Sequence, residues 1–502
     1  MNASMHQIKR LQQRGTNCMN PEKNHASTSH ARRPGTCVAT AGVAAALGLA
    51  LAMAASAADS PAPSTPSWQA GPVTLSFGGF TALESVYRNR FEATDIGSDF
   101  NTKIPFPDQT TAYNVSEFRE TARQSRLTIL AQGPKSDGYS AEAWFEMDFL
   151  GDAQNANSNE SNSYTPRVRN LYGLFRDAND GLYILAGQNW SLVTLNRTEM
   201  NPRSEITPLT IDSQYVVGFN WTRNPQVRVV KSWNDQLAVG VSLESPQAQF
   251  CSTCTTPGGT VTSVAGTQQL VSASSLAVDF VPDVVLKVAA DPGYGHYELF
   301  GLGRGFRDRN SITGANNTTY GAGIGGSVLL PLVPNMLEVQ GSVLFGNGIG
   351  RYGSAQLPDV TVRSDVTVAA IPEVDALVGL IFKPTSLWTF YAYAGIESAS
   401  ETAYTNTAGT TGYGYGSPLY NNSGCTITTS APSSTNCIAN TKSVTQGALG
   451  TWWKYYQGQM GNLQLGLQGS YTKRDTFAGI GGDPSTNMTV VMLSLRFYPY
   501  QR

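Results

Sequence analysis

The amino-acid sequence predicts an all-β fold, a transmembrane antiparallel β-barrel of sixteen strands with short periplasmic turns and long extracellular loops. Three observations predict it. Sixteen segments alternate apolar and polar residues with period two, the mark of strands whose two faces meet different surroundings. Connections between them sort by length. Those at 132–138, 177–181, 234–236, 291–295, 331–335, 384–386 and 457–461 are short and turn-like. Those at 92–116, 151–165, 189–225, 245–282, 304–319, 346–373, 398–443 and 474–487 are long and polar. A membrane barrel needs this sorting, with both termini at the short-turn rim, whereas a soluble sandwich has no reason for it. Thirdly, charges on the most apolar strands share one face, as a wet interior requires.

The strands follow in order: 74–88, 117–131, 139–150, 166–176, 182–188, 227–233, 237–244, 284–290, 296–303, 320–330, 336–345, 374–383, 387–397, 444–456, 462–473 and 488–497. L-A-V-D-F (276–280) is apolar enough to be a strand; counting it and dividing 189–225 would give eighteen. In 139–149, Tyr139, Ala141, Ala143, Phe145, Met147 and Phe149 would face lipid, and Ser140, Glu142, Trp144, Glu146 and Asp148 the lumen. In T-V-V-M-L-S-L-R-F-Y-P-Y (489–500), Val491, Leu493, Leu495 and Phe497 form the lipid row, Ser494 and Arg496 face water, and Phe497, Tyr498 and Tyr500 suit an interfacial girdle.

The first 57 residues read as a signal peptide with an extended n-region: Arg32-Arg33, an Ala/Gly-rich apolar run over 38–53, and a cleavage signal at Ala55-Ser56-Ala57. That run is too short and weakly apolar for a membrane anchor. Residues 58–73 form a Pro-rich segment and 74–502 the barrel. Of 502 residues only 14% are charged, against ~25% in ordinary soluble proteins. A net charge of −2 supplies no basic field for nucleic acid. The partners expected are outer-membrane lipid and lipopolysaccharide, and no cofactor or metal is indicated.

Charge placement suggests the site. Arg167 and Arg169 share a face, with Val168, Tyr172 and Leu174 on the other. On the strand before 139–150, Arg126 alternates with Leu127 and Ile129. Glu142, Glu146 and Asp148 therefore lie between arginine-bearing neighbours. Opposed charges of this kind either set a transverse field in a pore or form cross-strand ion pairs that stabilise the wall. Connection 189–225 mixes apolar residues with Arg197, Glu199, Arg203 and Glu205, as a loop folding inward to narrow a pore should; an external lid is the alternative. Cys251 and Cys254, and Cys425 and Cys437, lie in polar loops and read as two local disulfides for an oxidising compartment. A redox or metal role for the Cys251–Cys254 motif lacks a second close pair or a nearby His.

A-R-Q-S-R-L-T (122–128), A-W-F-E-M-D-F (143–149), R-V-R-N-L-Y (167–172) and A-G-Q-N-W-S-L (186–192) resemble the DcaP-like outer-membrane porins of Gram-negative bacteria, as do 282–289 and 297–302. The resemblance implies a trimeric sixteen-strand porin whose arginine-lined constriction passes small anionic solutes such as dicarboxylates. It carries over to Arg126, Arg167 and Arg169. It departs at 59–68, which is too Pro-rich for the N-terminal coiled coil common in that family, and at the C-terminus, where Gln501 and Arg502 follow Tyr500.

Two other functions compete. A membrane-embedded hydrolase would depend on His296, the one histidine beyond the leader, which sits beside a short turn. A surface β-rich adhesin without a pore is the binding-module alternative.

Overall fold

The computed structural model describes residues 66–107, 112–151, 164–251, 261–262, 280–310, 315–365, 367–405, 408–425 and 437–499. The strands are β1 (Val73–Arg88), β2 (Glu117–Thr121 and, after a break, Arg126–Gln132), β3 (Tyr139–Asp148), β4 (Arg167–Asp177), β5 (Leu182–Trp190), β6 (Arg223–Trp233), β7 (Leu237–Glu244) and β8 (Asp283–Ala290). There follow β9 (His296–Asn310), β10 (Asn316–Val333), β11 (Leu337–Asn347), β12 (Pro372–Phe382), β13 (Trp388–Ala399), β14 (Thr441–Gly458), β15 (Gly461–Thr476) and β16 (Ser485–Tyr498). Each pairs antiparallel with the next, and β16 returns to β1 with Leu495 opposite Leu83 and Met492 opposite Val86. All sixteen expected strands form, and among the described residues the barrel closes with these sixteen. Closure leaves no row of unpaired N–H and C=O groups, the condition for a sheet in hydrocarbon.

The two faces differ as period two requires. Leu286, Leu299, Val378 and Leu449 point outward and are more than half exposed. Their neighbours Lys287, Glu298 and Gln446 point inward and are buried. Outward-facing Trp388 stacks on Trp453 at 5.4 Å, and Tyr139 on Phe175 at 5.7 Å, close to the short turns. These rings form an aromatic girdle at that rim. Phe497 shares the outward face. Tyr498 turns inward instead, 5.0 Å from Phe80, so it belongs to the lumen; Tyr500 lies outside the described residues.

Four departures have physical causes. β9 and β10 run on to Asn310 and from Asn316, so the expected loop 304–319 shrinks to 311–315. The apolar alternation stops where lipid stops, while the hydrogen-bond ladder continues above it. β2 breaks at 122–125, where Ser125 Oγ accepts the Ala82 N–H at 3.0 Å in place of a ladder bond. In β4 a bulge makes Glu146 pair with Asn170 and Met147 with Val168. One extra residue reverses the parity beyond it. Tyr172 and Leu174, expected outward, are therefore buried inside, and Leu171 and Phe175 take the lipid face. Finally, Ser67–Ala70 pairs with the start of β1, so the Pro-rich segment ends in the sheet. Residues 1–57 and 276–279 lie outside the described residues.

Much of the long-loop half of the lumen is packed. Ile96, Phe100 and Ile104 from loop 89–116 pack with Ile211, Val217 and Phe219 from loop 191–222 and with Leu357 and Ile371 from loop 348–371.

Candidate functional site

Loop 191–222, which joins β5 to β6, folds into the barrel and is held there by the wall. Asn196 N–H donates to Glu298 Oε1 at 2.9 Å and Glu199 N–H to Asp291 Oδ2 at 2.8 Å. Arg197 pairs with Glu338 at 2.9 Å and Arg203 with Glu142 at 2.6 Å. Farther along, the backbone N–H groups of Ile211, Val217 and Gly218 donate to Gln468, Gln446 and Glu397 on β15, β14 and β13. A loop with this many polar backbone groups can cross a lumen only when wall side chains accept them. Glu298 is itself fixed by the buried Lys287, 2.6 Å away, and by His296 at 3.0 Å. His296 bridges Glu298 and Asp291, and so serves the loop's anchorage. Burial pushes the Asp212 carboxyl of this loop up to about 6, against a hydrogen bond from Gln468.

Where the loop crosses β2–β6, charged side chains collect. Glu146 receives Arg126 at 3.0 Å and Arg169 at 2.6 Å; Asp148 receives Arg167 at 2.7 Å and Arg169 at 3.0 Å. The β4 bulge is what turns both Arg169 and Asn170 inward, so that Asn170 also donates to Glu146 at 2.7 Å. Arg223, the first residue of β6, lies over the rings of Trp190 and Trp221 at 5.2 and 5.5 Å. With its amide oxygen turned toward them, Gln214 of the loop accepts from Arg223 at 2.9 Å and Arg169 at 3.2 Å. Among the described residues Arg223 has no carboxylate partner. Four guanidinium groups thus meet two carboxylates, an excess of two positive charges.

This cluster lies between two cavities. One of about 470 Å³ opens among the long loops and is lined by Arg167, Gln214 and Tyr215. The other, about 770 Å³, reaches toward the short-turn rim and is lined by Arg126, Glu146, Trp452 and Tyr498.

The expected site residues therefore divide. Arg126, Arg167, Arg169, Glu146 and Asp148 come together. Arg197, Glu199, Arg203 and Glu142 instead anchor the loop nearer the short turns, and Glu205 accepts from Asn189 Nδ2 at 3.3 Å. Arg223 escaped sequence reasoning because Pro225 made the start of β6 resemble loop. Its signal was the position two residues past Trp221, at the end of an arginine-rich connection. Arg123 serves architecture: it donates to Phe149 O and Gly151 O and pairs with Asp95 at 3.1 Å. Cys425 and Cys437 are bonded as expected, and Cys251 is disulfide-bonded; Cys254 lies outside the described residues. Among the described residues no group of three or more His, Cys, Asp or Glu is placed to hold a metal ion.

A closed sixteen-strand barrel, apolar outside and charged within, with tight turns at one rim, has the fold of the outer-membrane channels. The outer membrane channel DcaP of Acinetobacter baumannii shares it, with a TM-score of 0.58, 17% sequence identity, and 85% of this chain and 97% of that chain covered. The anion-selective porin from Comamonas acidovorans gives 0.43 at 10% identity over 85% of this chain and 99% of that chain. OprB of Pseudomonas putida gives 0.44 at 10% identity, with 84% and 94% covered. No protein-family model and no curated protein sequence matches the chain. At such identities it is the fold that is shared.

Proposed function

We propose that this chain is an outer-membrane porin, a homotrimer whose water-filled lumen passes small hydrophilic solutes by diffusion and prefers anions of the dicarboxylate kind. The observation that carries the reading is the charge excess at the loop crossing, where four arginines face two carboxylates between two cavities. A field of fixed positive charge in a narrow low-dielectric passage raises the local concentration of anions and repels cations. The apolar outer belt and the aromatic girdle support residence in a bilayer. The likeness to the DcaP channel supports the same reading at the level of fold.

The test is the reversal potential of the purified chain in planar bilayers under a KCl gradient, with succinate added as a blocker. Anion preference and block by succinate are expected. A cation-preferring or non-conducting chain would overturn the proposal.

A further inference from the structure

His296 opens β9 just past the turn 291–295 and is 2% exposed. Its Nδ1 lies 2.8 Å from Asp291 Oδ1, and its Nε2 lies 3.0 Å from Glu298 Oε1. An ionised carboxylate only accepts hydrogen bonds, and a neutral imidazole has a single N–H to donate. Both contacts are therefore satisfied only when the ring carries two protons. Glu298 is held ionised, since Lys287 Nζ stands 2.6 Å from the same oxygen and the Asn196 N–H donates to it at 2.9 Å. Between Asp291 and the ring the proton rests on the imidazole, whose ordinary affinity for it is higher by roughly 2–3 pH units. The ring is an imidazolium between two carboxylates.

Each of these carboxylates also grips the inward loop by its backbone, Glu298 through the Asn196 N–H and Asp291 through the Glu199 N–H. The gripped segment is strained. Glu199 and Arg203 adopt φ of 46° and 69°, a left-handed backbone that a residue with a Cβ disfavours. The same segment borders the cavity of about 770 Å³ through Arg197 and Arg203 to Ile206. The charged groups around the ring come from three elements: Asp291 from the turn, Glu298 from β9 and, behind Glu298, Lys287 from β8. On β10, Leu329 stands opposite His296 and packs with Leu195 and Ile206 of the loop. The loop's own Glu199 carboxylate turns to Asn201 Nδ2 at 2.9 Å. Arg228 and Glu205 act on Lys287.

We infer that His296 is a proton-dependent latch on loop segment 196–206, closed when the imidazole is protonated and released when it is neutral. A neutral ring keeps one N–H and turns a lone pair toward the other carboxylate. Among the described residues Asp291 has no other cationic partner, so it cannot compensate. The latch is complete at acid pH and is lost as pH rises through deprotonation of the ring. Release lets Glu199 and Arg203 relax and changes the width of the larger cavity. The latch itself does not depend on the channel reading; its effect on a current does.

The experiment is hydrogen–deuterium exchange of the peptide spanning 194–206 in the full chain in detergent, at about pH 6 and about pH 9, with rates divided by the intrinsic amide rate at each pH. Wild-type protection should fall about tenfold between the two, the loss of one charge-assisted hydrogen bond. Asp291→Asn reverses the expectation. Its amide donates to Nδ1 of a neutral ring while its oxygen still accepts the Glu199 N–H, and Nε2–H still donates to Glu298. D291N should therefore stay protected at both pH values, and H296Q should be poorly protected at both. Equal wild-type protection at the two pH values would overturn the latch, and needs no variant to fold. So would a D291N that loses protection as the wild type does, or an H296Q that keeps the wild-type pH response. In planar bilayers the wild-type current should grow noisier over the same range and the D291N current should not. A chain without conductance would overturn the channel reading and leave the exchange result to decide the latch.

Discussion

Replacing Arg126 and Arg223 together by glutamine removes the charge excess while leaving each carboxylate with a guanidinium. Glu146 keeps Arg169 at 2.6 Å and Asp148 keeps Arg167 at 2.7 Å, so the wall's ion pairs survive. In water, one unit charge acts on an ion roughly 5 Å away with about 0.8 kcal/mol. Two excess charges give about 1.7 kcal/mol, and screening at 0.1 M salt reduces this to about 1 kcal/mol. An anion gains that amount and a cation loses it, a difference of about 2 kcal/mol or roughly 30-fold in permeability ratio. The double variant should bring the chloride-to-potassium ratio close to unity. The assay is reversal potential under a tenfold KCl gradient, with a folded barrel verified by heat-modifiable migration. A variant that folds and keeps the wild-type ratio would refute the assignment of selectivity to this cluster.

Further predictions concern the loop and the wall. Lys287→Met takes the buried ammonium from Glu298 and should destabilise the loop's anchorage by about 3 kcal/mol, seen as a lower unfolding temperature and noisier single-channel current; an unchanged trace counts against the anchor. Tryptophan at position 171 should be quenched by brominated lipid and tryptophan at 172 should not, because the β4 bulge reverses facing there; the opposite pattern contradicts the register. Asp212 binds its proton more tightly folded than unfolded, with its carboxyl at about 6 against an ordinary 3.8. Its stabilising contribution is therefore complete below pH 3.8 and is lost as pH rises through 6, and Asp212→Asn should flatten that slope, worth about 2–3 kcal/mol. Denaturant midpoints between pH 3.5 and 7.5 read it directly.

The lipid-facing architecture was legible in the sequence because hydrocarbon imposes one rule on every second residue. That is why Leu495 and Phe145 could be placed on the outside and the strand count held. What the rule does not cover was harder to read. Above the membrane β9 and β10 continue through polar residues such as Arg307 and Thr318, where a ladder needs no alternation. The bulge beside Arg169 leaves no compositional trace, yet it decides the facing of Tyr172 and Leu174. The carboxylates of β3 showed that an interior site existed, and their arginine partners followed from adjacency. The reach of loop 191–222 to Gln446, Gln468 and Glu397 could not be read, because those acceptors lie more than 170 residues away in sequence.

The account depends first on closure: the sheet must meet itself, since everything said of a wet lumen follows from that. Ser85 stands opposite Leu493 across the junction of β1 and β16. Cysteines introduced at these two positions should join under mild oxidation in detergent-folded protein, and the bond should persist through purification as an intramolecular cross-link. Failure of the pair to join, while a control pair at Val378 and Ala394 on β12 and β13 does join, would contradict the closed barrel.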